Sequence, residues 1–218
     1  MTDPITTPCS GVILAGGLSS RFGGRDKAMI VWNERPLLDY VQEAFGDCFR
    51  ETLLVTNAPG RFATWDMTLV TDLFAERSSL TGIQAGLFYA GQPFAFVTAC
   101  DTPLLQPGLI RLLLDAVEED IDVVVPKTDK GLEPLCAVYS QRCLQLITHQ
   151  LQRGDFRIRS FFQRARVRRI PEKQLRRVDP DLRSFFNINT PEDLEEARRR
   201  FSSGNGDAGA RVIQKELS

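Results

Sequence analysis

The sequence is poor in the residues that many catalytic and metal centres use. It contains one histidine, His149, and five cysteines, none of which form a C-x-x-C pair. The sequence therefore shows no arrangement of His and Cys residues that predicts a nucleophilic triad. We expect the single histidine to be structural. An odd number of cysteines without a C-x-x-C pair is typical of buried thiols in a reducing compartment, so we expect a cytoplasmic protein.

Long apolar runs and a charge excess are also missing. No run approaches the length of a membrane span, and the opening MTDPITTPCSG has neither a basic region nor an apolar core, so we expect no signal peptide. The 27 Lys and Arg residues nearly balance the 28 Asp and Glu residues, which gives a net charge of −1. We therefore expect no binding to nucleic acid or membranes.

The composition is that of an ordinary globular domain. Of the 218 residues, 43% are hydrophobic and 25% charged, enough to bury a full core in one domain. No internal repeat or linker is visible. We therefore predict one domain over residues 1–200. Residues 201–218 have the composition of a flexible tail.

Two common phosphate-binding motifs are absent, namely G-x-x-x-x-G-K-[ST] and G-x-G-x-x-G. Instead, residues 11–27 read GVILAGGLSSRFGGRDK. The apolar residues 12–15 predict a buried strand, and Gly16 and Gly17 after it allow the backbone to approach a ligand. Arg21 and Lys27 add positive charge, so the segment predicts a site for an anion such as a triphosphate. The alternative is a glycine-rich turn with solvated charges.

Strand and helix patterns alternate along the chain. We predict strands at residues 12–15, 28–32, 52–56, 67–71, 94–100, 122–126 and 133–139, and helices at 37–49, 80–90, 107–119 and 141–152. A further helix is predicted to begin at Pro191, with Thr190 as its N-cap. This alternation predicts a single three-layer, Rossmann-like α/β domain with a mostly parallel sheet.

Polar residues follow four of the predicted strands. They are the Gly16–Lys27 loop, Asn57, Asp72 and Asp101. Because ligands of parallel sheets bind beyond the carboxyl ends of the strands, these residues predict an active site at that edge. The position of Asp101 fits either a Mg²⁺ ligand or a helix N-cap, and the residues alone favour the two roles about equally. Asn57 and Asp72 could read a base or ribose, or serve as turn residues.

Three motifs in the same order resemble those of the MobA-like nucleotidyltransferases, the family of molybdenum cofactor guanylyltransferases. They are LAGG-x-S-x-R-[MF]-G-G-x-D-K, Ala99–Pro103 (ACDTP) and Asn187–Leu194 (NINTPEDL). The resemblance spans roughly residues 11–198. It implies a fold like that of the nucleotide-diphospho-sugar transferases.

The resemblance also implies an activity. It is the Mg²⁺-dependent transfer of GMP from GTP to the terminal phosphate of molybdopterin bound to molybdenum, with release of pyrophosphate. Proteins that mature molybdoenzymes are further candidate partners. A phosphate monoester is largely ionised at pH 7, so this acceptor needs no general base.

The site residues implied by the resemblance fall into four sets. Lys27, Arg21 and Asp101 are expected to be catalytic. The nucleotide is expected to contact Leu14, Ala15, Gly16, Gly17, Lys27, Asn57, Asp72 and Asp101. The metal is assigned to Asp101 and to Asn189, the latter expected at a strand end. Candidates for the pterin are Glu133, Arg157, Arg159 and Asn187.

One segment departs from the family pattern. Residues 77–83 read RSSLTGI, where Gly-Pro-Leu-x-Gly-Ile is usual. The base preference therefore stays open, and a cytidylyltransferase or another nucleotidyltransferase of this fold is an alternative. A non-catalytic module that binds a nucleotide or pterin and delivers cofactor is a second alternative.

Overall fold

A computed structural model describes residues 7–16, 18–19 and 25–201 of the chain. The roles predicted for Gly17 and Arg21, and the tail predicted beyond Phe201, concern positions outside this part. No helix within the described residues is long and apolar enough to cross a membrane.

The strands and helices alternate for most of the chain. The strands are β1 (Cys9–Leu14), β2 (Leu18–Ser19), β3 (Arg25–Asp26), β4 (Val31–Trp32), β5 (Arg35–Pro36), β6 (Thr52–Val55), β7 (Thr68–Val70), β8 (Phe94–Ala99), β9 (Val123–Thr128), β10 (Gly131–Leu132), β11 (Cys136–Ser140) and β12 (Val167–Pro171). The α-helices are α1 (Leu37–Phe45), α2 (Ser79–Tyr89), α3 (Pro107–Asp115), α4 (Cys143–Gln152), α5 (Glu172–Leu175) and α6 (Pro191–Phe201).

Eight of the strands form one sheet, in the order β10-β9-β11-β8-β1-β6-β7, with β12 paired to β9. Strands β7, β6, β1 and β8 are mutually parallel, and β12 runs parallel to β9. Strand β11 is antiparallel to both β8 and β9. The prediction of a mostly parallel α/β sheet is therefore confirmed.

Helices cover both faces of this sheet. Successive side chains of a strand point to opposite faces, and β1 shows this directly. Ile13 belongs to a core cluster with residues of α1 and α3, whereas Val12 belongs to a cluster with residues of α2 and α4. The predicted three layers are thus present, and the sheet is buried on both sides.

Two glycines allow close contact between the helices and the sheet. A Cβ at Gly86 of α2 would lie 2.6 Å from Cγ1 of Val12, and one at Gly11 of β1 would lie 2.6 Å from Cε2 of Phe45. Neither distance is compatible with a side chain unless the backbone moves. These glycines are therefore explained by packing.

The five cysteines are free and buried, as their spacing predicts. Burial raises the pKa of the Cys9 and Cys143 thiols to about 12. Because the thiolate is the reactive form, these two side chains act as small core residues.

Several predicted boundaries were wrong. Helix α1 ends at Phe45, because Gly46 takes a φ of +44° and begins a 3₁₀ turn. The extended segment predicted over 28–32 is a 3₁₀ turn at Lys27–Met29 followed by β4. Strand β12 was not predicted, since its sequence VRRIP carries two arginines where a buried strand would be apolar.

A small third cluster attaches α6 to the rest of the domain. It consists of Ile30, Trp32, Leu37, Leu104, Ile188 and Ala197, all buried. Its members come from the β4–β5 hairpin, from the start of α1, from the loop after β8 and from the α6 region. This cluster brings the C-terminal part of the described chain to the same edge of the sheet as the end of β8.

Candidate active site

The carboxyl ends of four neighbouring parallel strands meet at one edge of the sheet. Strands β1, β6, β7 and β8 end at Leu14, Val55, Val70 and Ala99. The residues that follow, including Gly16, Asn57, Asp72 and Asp101, therefore lie along that edge, which we call the catalytic edge. The predicted convergence of these polar residues is confirmed.

Three polar side chains from distant parts of the chain form a cluster there. The Lys27 ammonium donates to Oδ2 of Asp101 over 2.8 Å and also to Oδ1 of Asn189. The side chains of Lys27 and Asp101 are only 20% and 14% exposed. We call this set the lysine cluster. A partly buried ion pair with an added amide acceptor is held more firmly than a pair at the surface.

Backbone contacts fix two members of the lysine cluster. The N–H of Cys100 donates to the carbonyl of Leu14 over 3.1 Å, which ties the residue before Asp101 to the end of β1. The N–H of Ile188 donates to the carbonyl of Asp101 over 2.8 Å. Asp101 and Asn189 are therefore held together through the main chain as well as through Lys27.

The start of α6 orients Asn189. Thr190 accepts from the N–H of Asp193 over 3.1 Å, and Oδ2 of Asp193 accepts from the N–H groups of Asn189 and Thr190 over 2.8 and 2.9 Å. The predicted N-cap at Thr190 is confirmed. The expectation that Asn189 ends a strand was wrong, because the cap and not a strand pairing holds this residue.

The lysine cluster retains hydrogen-bonding capacity. A lysine ammonium has three N–H donors, and Lys27 uses two of them on Asp101 and Asn189. Among the described residues, no donor reaches Oδ1 of Asp101. The cluster can therefore offer one N–H and several oxygen lone pairs to a ligand.

The donor set of the cluster suits a hard cation. Asp101 and Asn189 provide one carboxylate and one amide oxygen, both within hydrogen-bonding reach of a single nitrogen. In the described part of the chain, no three His, Cys, Asp or Glu side chains form a metal-binding group. This arrangement fits Mg²⁺, which often takes one or two carboxylates and completes its shell with phosphates and water.

A cleft of 460 Å³ lies beside the lysine cluster. It is lined by Leu14, Gly16, Lys27, Val55, Asp72, Arg77, Ser78, Ser79, Gly82, Ala99, Cys100, Asp101 and Leu135. Its volume is in the range of ordinary small-molecule sites. Its lining combines apolar residues such as Leu14 and Leu135 with the charged side chains of Lys27 and Asp101, so the cleft suits a planar base joined to an anionic group. We call it the nucleotide cleft.

Asn57 and Asp72 have different places at this cleft. Asp72 lines it, whereas Asn57 donates from Nδ2 to Oδ2 of Asp72 over 2.7 Å without lining it. The other oxygen, Oδ1 of Asp72, is shielded from solvent and has no partner among the described residues. A shielded carboxylate oxygen without a donor is costly, so it favours a ligand that brings N–H or O–H groups.

The segment that departs from the family pattern forms the start of α2. Ser78 accepts from the N–H of Thr81 over 3.1 Å, and Thr81 accepts from the N–H of Ser78 over 3.0 Å. This capping box replaces the usual Gly-Pro with another stable helix start. Our site predictions missed Arg77, Ser78 and Ser79 as lining residues, although Ser78 and Thr81 have the spacing of a capping box.

Five further lining residues were also missed, namely Val55, Gly82, Ala99, Cys100 and Leu135. Gly82 lies where a Cβ would be 3.2 Å from Cδ2 of Leu14, so a glycine leaves room beside Leu14 in the cleft. Leu135 comes from the segment before β11. Of these residues, only Gly82 had a signal in the sequence, because it is a glycine within a predicted helix.

The four candidates for the pterin do not line one cleft. Glu133 accepts from Oγ1 of Thr128 over 3.1 Å, and Arg159 donates to the carbonyl of Leu132 over 2.7 Å. Arg157 pairs with Asp155 over 2.9 Å in a separate cleft, and Asn187 is exposed. None of the four lines the nucleotide cleft.

Known proteins resemble this chain over most of its length. A sequence profile described as the MobA-like NTP transferase domain matches residues 11–170. A protein named molybdenum cofactor guanylyltransferase from Desulfosudis oleivorans is 47% identical over 195 residues, covering 89% of this chain and 96% of that protein. One named probable molybdenum cofactor guanylyltransferase from Natranaerobius thermophilus is 36% identical, covering 91% of this chain and 97% of that protein.

A solved structure extends the agreement to the fold. The crystal structure of molybdopterin-guanine dinucleotide biosynthesis protein A from Archaeoglobus fulgidus matches with a TM-score of 0.79 and 29% identity, covering 89% of this chain and 99% of that chain. The fold is that of the nucleotide-diphospho-sugar transferases, as the resemblance implied. With the profile and the 47% identical relative, these matches show that the chain belongs to the family of MobA-like NTP transferases.

Proposed function

We propose that the chain transfers GMP from GTP to the terminal phosphate of molybdopterin (bound to molybdenum) and releases pyrophosphate. The observation that carries this proposal is the lysine cluster at the wall of a base-sized cleft, in a chain 47% identical to a protein named molybdenum cofactor guanylyltransferase. The chain is then a nucleotidyltransferase that makes the guanine dinucleotide form of the cofactor.

The reaction needs no proton acceptor on the protein. An oxygen of the acceptor phosphate forms a bond to the α-phosphorus of GTP. The bond from that phosphorus to the bridging oxygen breaks, and the electron pair leaves with pyrophosphate. A phosphate monoester has a second pKa of about 6, so the nucleophile is already ionised at neutral pH. Catalysis then depends on alignment and on stabilising negative charge.

Lys27 is the main protein cation in this proposal. Its third N–H, left over from the bonds to Asp101 and Asn189, is available to a phosphate oxygen. A fixed ammonium beside the α- and β-phosphates stabilises the charge that develops on the leaving group. Arg21 and the amides of Gly16 and Gly17 remain predicted contacts of the same phosphates.

The base is assigned to the part of the nucleotide cleft beside Asp72. There Oδ1 of Asp72 is shielded and lacks a donor within the described residues. Guanine offers adjacent N–H donors on its Watson–Crick edge, and a carboxylate can accept both of them. Cytosine offers only its amino group there, so this carboxylate favours guanine.

We also propose that the reaction uses Mg²⁺. Asp101 and Asn189 would hold the ion, and when bound it would reduce the negative charge of the triphosphate. Asp101 is suited because it lines the cleft and combines a formal charge with an oxygen that has no donor among the described residues. The pterin is assigned to the same edge of the sheet, beyond the lysine cluster.

A nucleotide panel tests the proposed function. GTP, CTP, ATP and UTP are each supplied with molybdopterin and Mg²⁺, and pyrophosphate release is measured with and without the acceptor. We expect release with GTP only, and only when the acceptor is present. A preference for CTP would make the chain a cytidylyltransferase. Tight binding of nucleotide without any release would indicate a delivery module.

A further inference from the structure

Asp26 is a buried carboxylate that the proposed reaction does not use. It directly precedes Lys27 and is 9% exposed. It belongs to β3, where it pairs with Leu18 of β2. Burial raises the pKa of Asp26, because the charged form loses its hydration, and the charge of Arg61 offsets part of that rise. A carboxylate in this position therefore needs a cation beside it to stay ionised at little cost.

Arg61 supplies that cation from the connection after β6. Its Nη1 lies 3.6 Å from Oδ2 of Asp26. Its N–H donates to the carbonyl of Ala58 over 3.0 Å, and the next residue, Phe62, is fully buried in the core. The guanidinium thus extends from a fixed turn. The side chain of Arg61 is 60% exposed, so water weakens the pair and its contribution to stability is small.

The same connection reaches the glycine-rich segment at a second place. A Cβ built on Gly16 would lie 3.8 Å from Nδ2 of Asn57, so this amide lies close to Gly16. The amide also donates to Oδ2 of Asp72 over 2.7 Å. Residues 57–61 therefore approach the segment at Gly16 and at Asp26, and they join it to the acid that is assigned to the base.

Lys27 lies between two anchors of the main chain. On its C-terminal side, Ala28 is fully buried, and the N–H of Ile30 donates to the carbonyl of Lys27 over 3.1 Å. On its N-terminal side, Asp26 is paired with Arg61. A shift of Asp26 therefore moves the backbone from which the Lys27 ammonium reaches the other members of the lysine cluster.

We propose that Arg61 is a positioning residue for Lys27. By pairing with Asp26 it holds the main chain before Lys27, and so keeps the third N–H of the ammonium directed at the phosphates of the nucleotide. This inference rests on the proposed function, which assigns Lys27 to the triphosphate. Arg61 does not line the nucleotide cleft, so its effect passes through Asp26 and not through a contact with the substrate.

Variants of Arg61 test the inference alone and in combination. Arg61→Ala removes the guanidinium, and Arg61→Lys keeps a positive charge on a side chain of similar length. Arg61→Ala combined with Lys27→Ala shows whether the two residues act on one donor. Arg35→Ala is the matched control, because Arg35 pairs with Glu43 over 2.8 Å and does not line the nucleotide cleft. For each variant, the calorimetric Kd for GTP and for guanosine is measured, together with kcat and the melting midpoint.

We expect Arg61→Ala to lower kcat about 10-fold and to raise the Kd for GTP about 5-fold, less than Lys27→Ala does, because the donor is misplaced and not removed. The Kd for guanosine, which has no phosphate, and the melting midpoint stay at their wild-type values. Arg61→Lys restores most of kcat and of the Kd for GTP. Added to Lys27→Ala, Arg61→Ala leaves the Kd for GTP unchanged. Arg35→Ala keeps all wild-type constants.

The partner of Arg61 provides an independent check. Asp26→Asn removes the charge at nearly constant volume, so it should raise the Kd for GTP as Arg61→Ala does, and Arg61→Ala should add little to it. Full additivity of the two changes would overturn the route through Asp26.

Three other results would overturn the inference. The first is a further rise in the Kd for GTP when Arg61→Ala is added to Lys27→Ala, since Arg61 would then act on the nucleotide independently. The second is an equal rise for guanosine, and the third is a wild-type kcat and Kd in Arg61→Ala, which would make the buried Ala28 a sufficient anchor. If the wild-type chain binds GTP but releases no pyrophosphate, the proposed function fails, while the Kd values still decide the role of Arg61.

Discussion

Two largely shielded aspartates lie at opposite edges of the same sheet, and each pairs with at least one basic side chain. Asp101 follows β8 at the catalytic edge, and Asp122 precedes β9 at the other edge. The side chains are similarly shielded, at 14% and 11% exposure. They differ in how completely their oxygens are used.

Asp122 is saturated with hydrogen bonds. Its Oδ1 accepts from Arg142 over 2.7 Å and from Nη2 of Arg166 over 3.1 Å, and its Oδ2 accepts from the N–H and Nε of Arg166. These bonds hold the pKa of Asp122 well below its usual range, with the Arg166 side chain as the largest cause. The carboxylate therefore joins β9, β11 and β12 and has no lone pair left for chemistry.

Asp101 has one side-chain partner in the described part of the chain, the Lys27 ammonium. Its other oxygen has no donor among those residues, and Asp101 lines the nucleotide cleft. A shielded carboxylate is structural when donors from the protein fill all its acceptor positions. It is a candidate for function when one position stays open at a cleft.

The largest effect is expected on turnover, when the Lys27 ammonium at the catalytic edge is removed. We expect Lys27→Ala to lower kcat about 10²- to 10³-fold, the typical cost of losing one fixed donor to a developing anion. The melting midpoint should change little, because the ammonium is replaced by water at the open cleft. Lys173→Ala, at an exposed lysine of α5, is the control. A lowered midpoint with normal pyrophosphate release would make Lys27 a structural residue.

At the opposite edge, the expected effect is on stability. We expect Asp122→Ala to lower the free energy of unfolding by about 2 kcal/mol, since several charge-assisted bonds are lost. The loss stays moderate because both arginines are about half exposed, at 47% and 54%, and water can solvate them. Urea unfolding measures it, with kcat as the second readout. A normal midpoint and reduced turnover would contradict the structural role.

The next smaller effect is the pH dependence of the stability that Asp122 contributes. A depressed folded pKa means that Asp122 stabilises the fold above the unfolded pKa of about 3.9, and that this contribution is lost as the pH falls toward the folded pKa. The difference in unfolding free energy between wild type and Asp122→Asn should be constant near neutral pH and shrink below about pH 4. A constant difference down to pH 3 would argue against the ionised carboxylate as its source.

The smallest effect is expected at the start of α6. Thr190→Ala removes one cap of that helix and should cost about 1 kcal/mol, while Thr190→Ser should restore most of it. Because the same cap orients Asn189, we expect turnover to fall by less than about 10-fold. Ser78→Ala at the start of α2 gives a matched cap for the melting midpoint only, because Ser78 lines the nucleotide cleft. Full turnover in Thr190→Ala would mean that the cap does not position Asn189.

The catalytic edge could be predicted from the sequence because its signals are local. A short apolar run that stops at a polar residue marks both a buried strand and the position of its carboxyl end. Asp72 and Asp101 were found this way, and parallel pairing of β1, β6, β7 and β8 then brings them to one edge. The capping residues around Pro191 likewise gave the start of α6.

Contacts between distant segments could not be predicted in this way. The attachment of α6 through Ile188 and Trp32, and the pairing of β12 with β9, depend on packing that no local pattern encodes. The structure distributes Arg157 and Arg183 between two clefts and engages Arg166 with Asp122.

The most direct test of the account is a comparison of Asp101→Asn with Asp122→Asn in one experiment. Asparagine has nearly the same volume, can still accept from Lys27, and lacks the charge that a divalent cation requires. With GTP, molybdopterin and limiting Mg²⁺, we expect Asp101→Asn to lose at least about 10²-fold in kcat with an unchanged melting midpoint. Asp122→Asn should keep its turnover and melt at a lower temperature. A near-wild-type rate for Asp101→Asn would contradict the assignment of the catalytic edge.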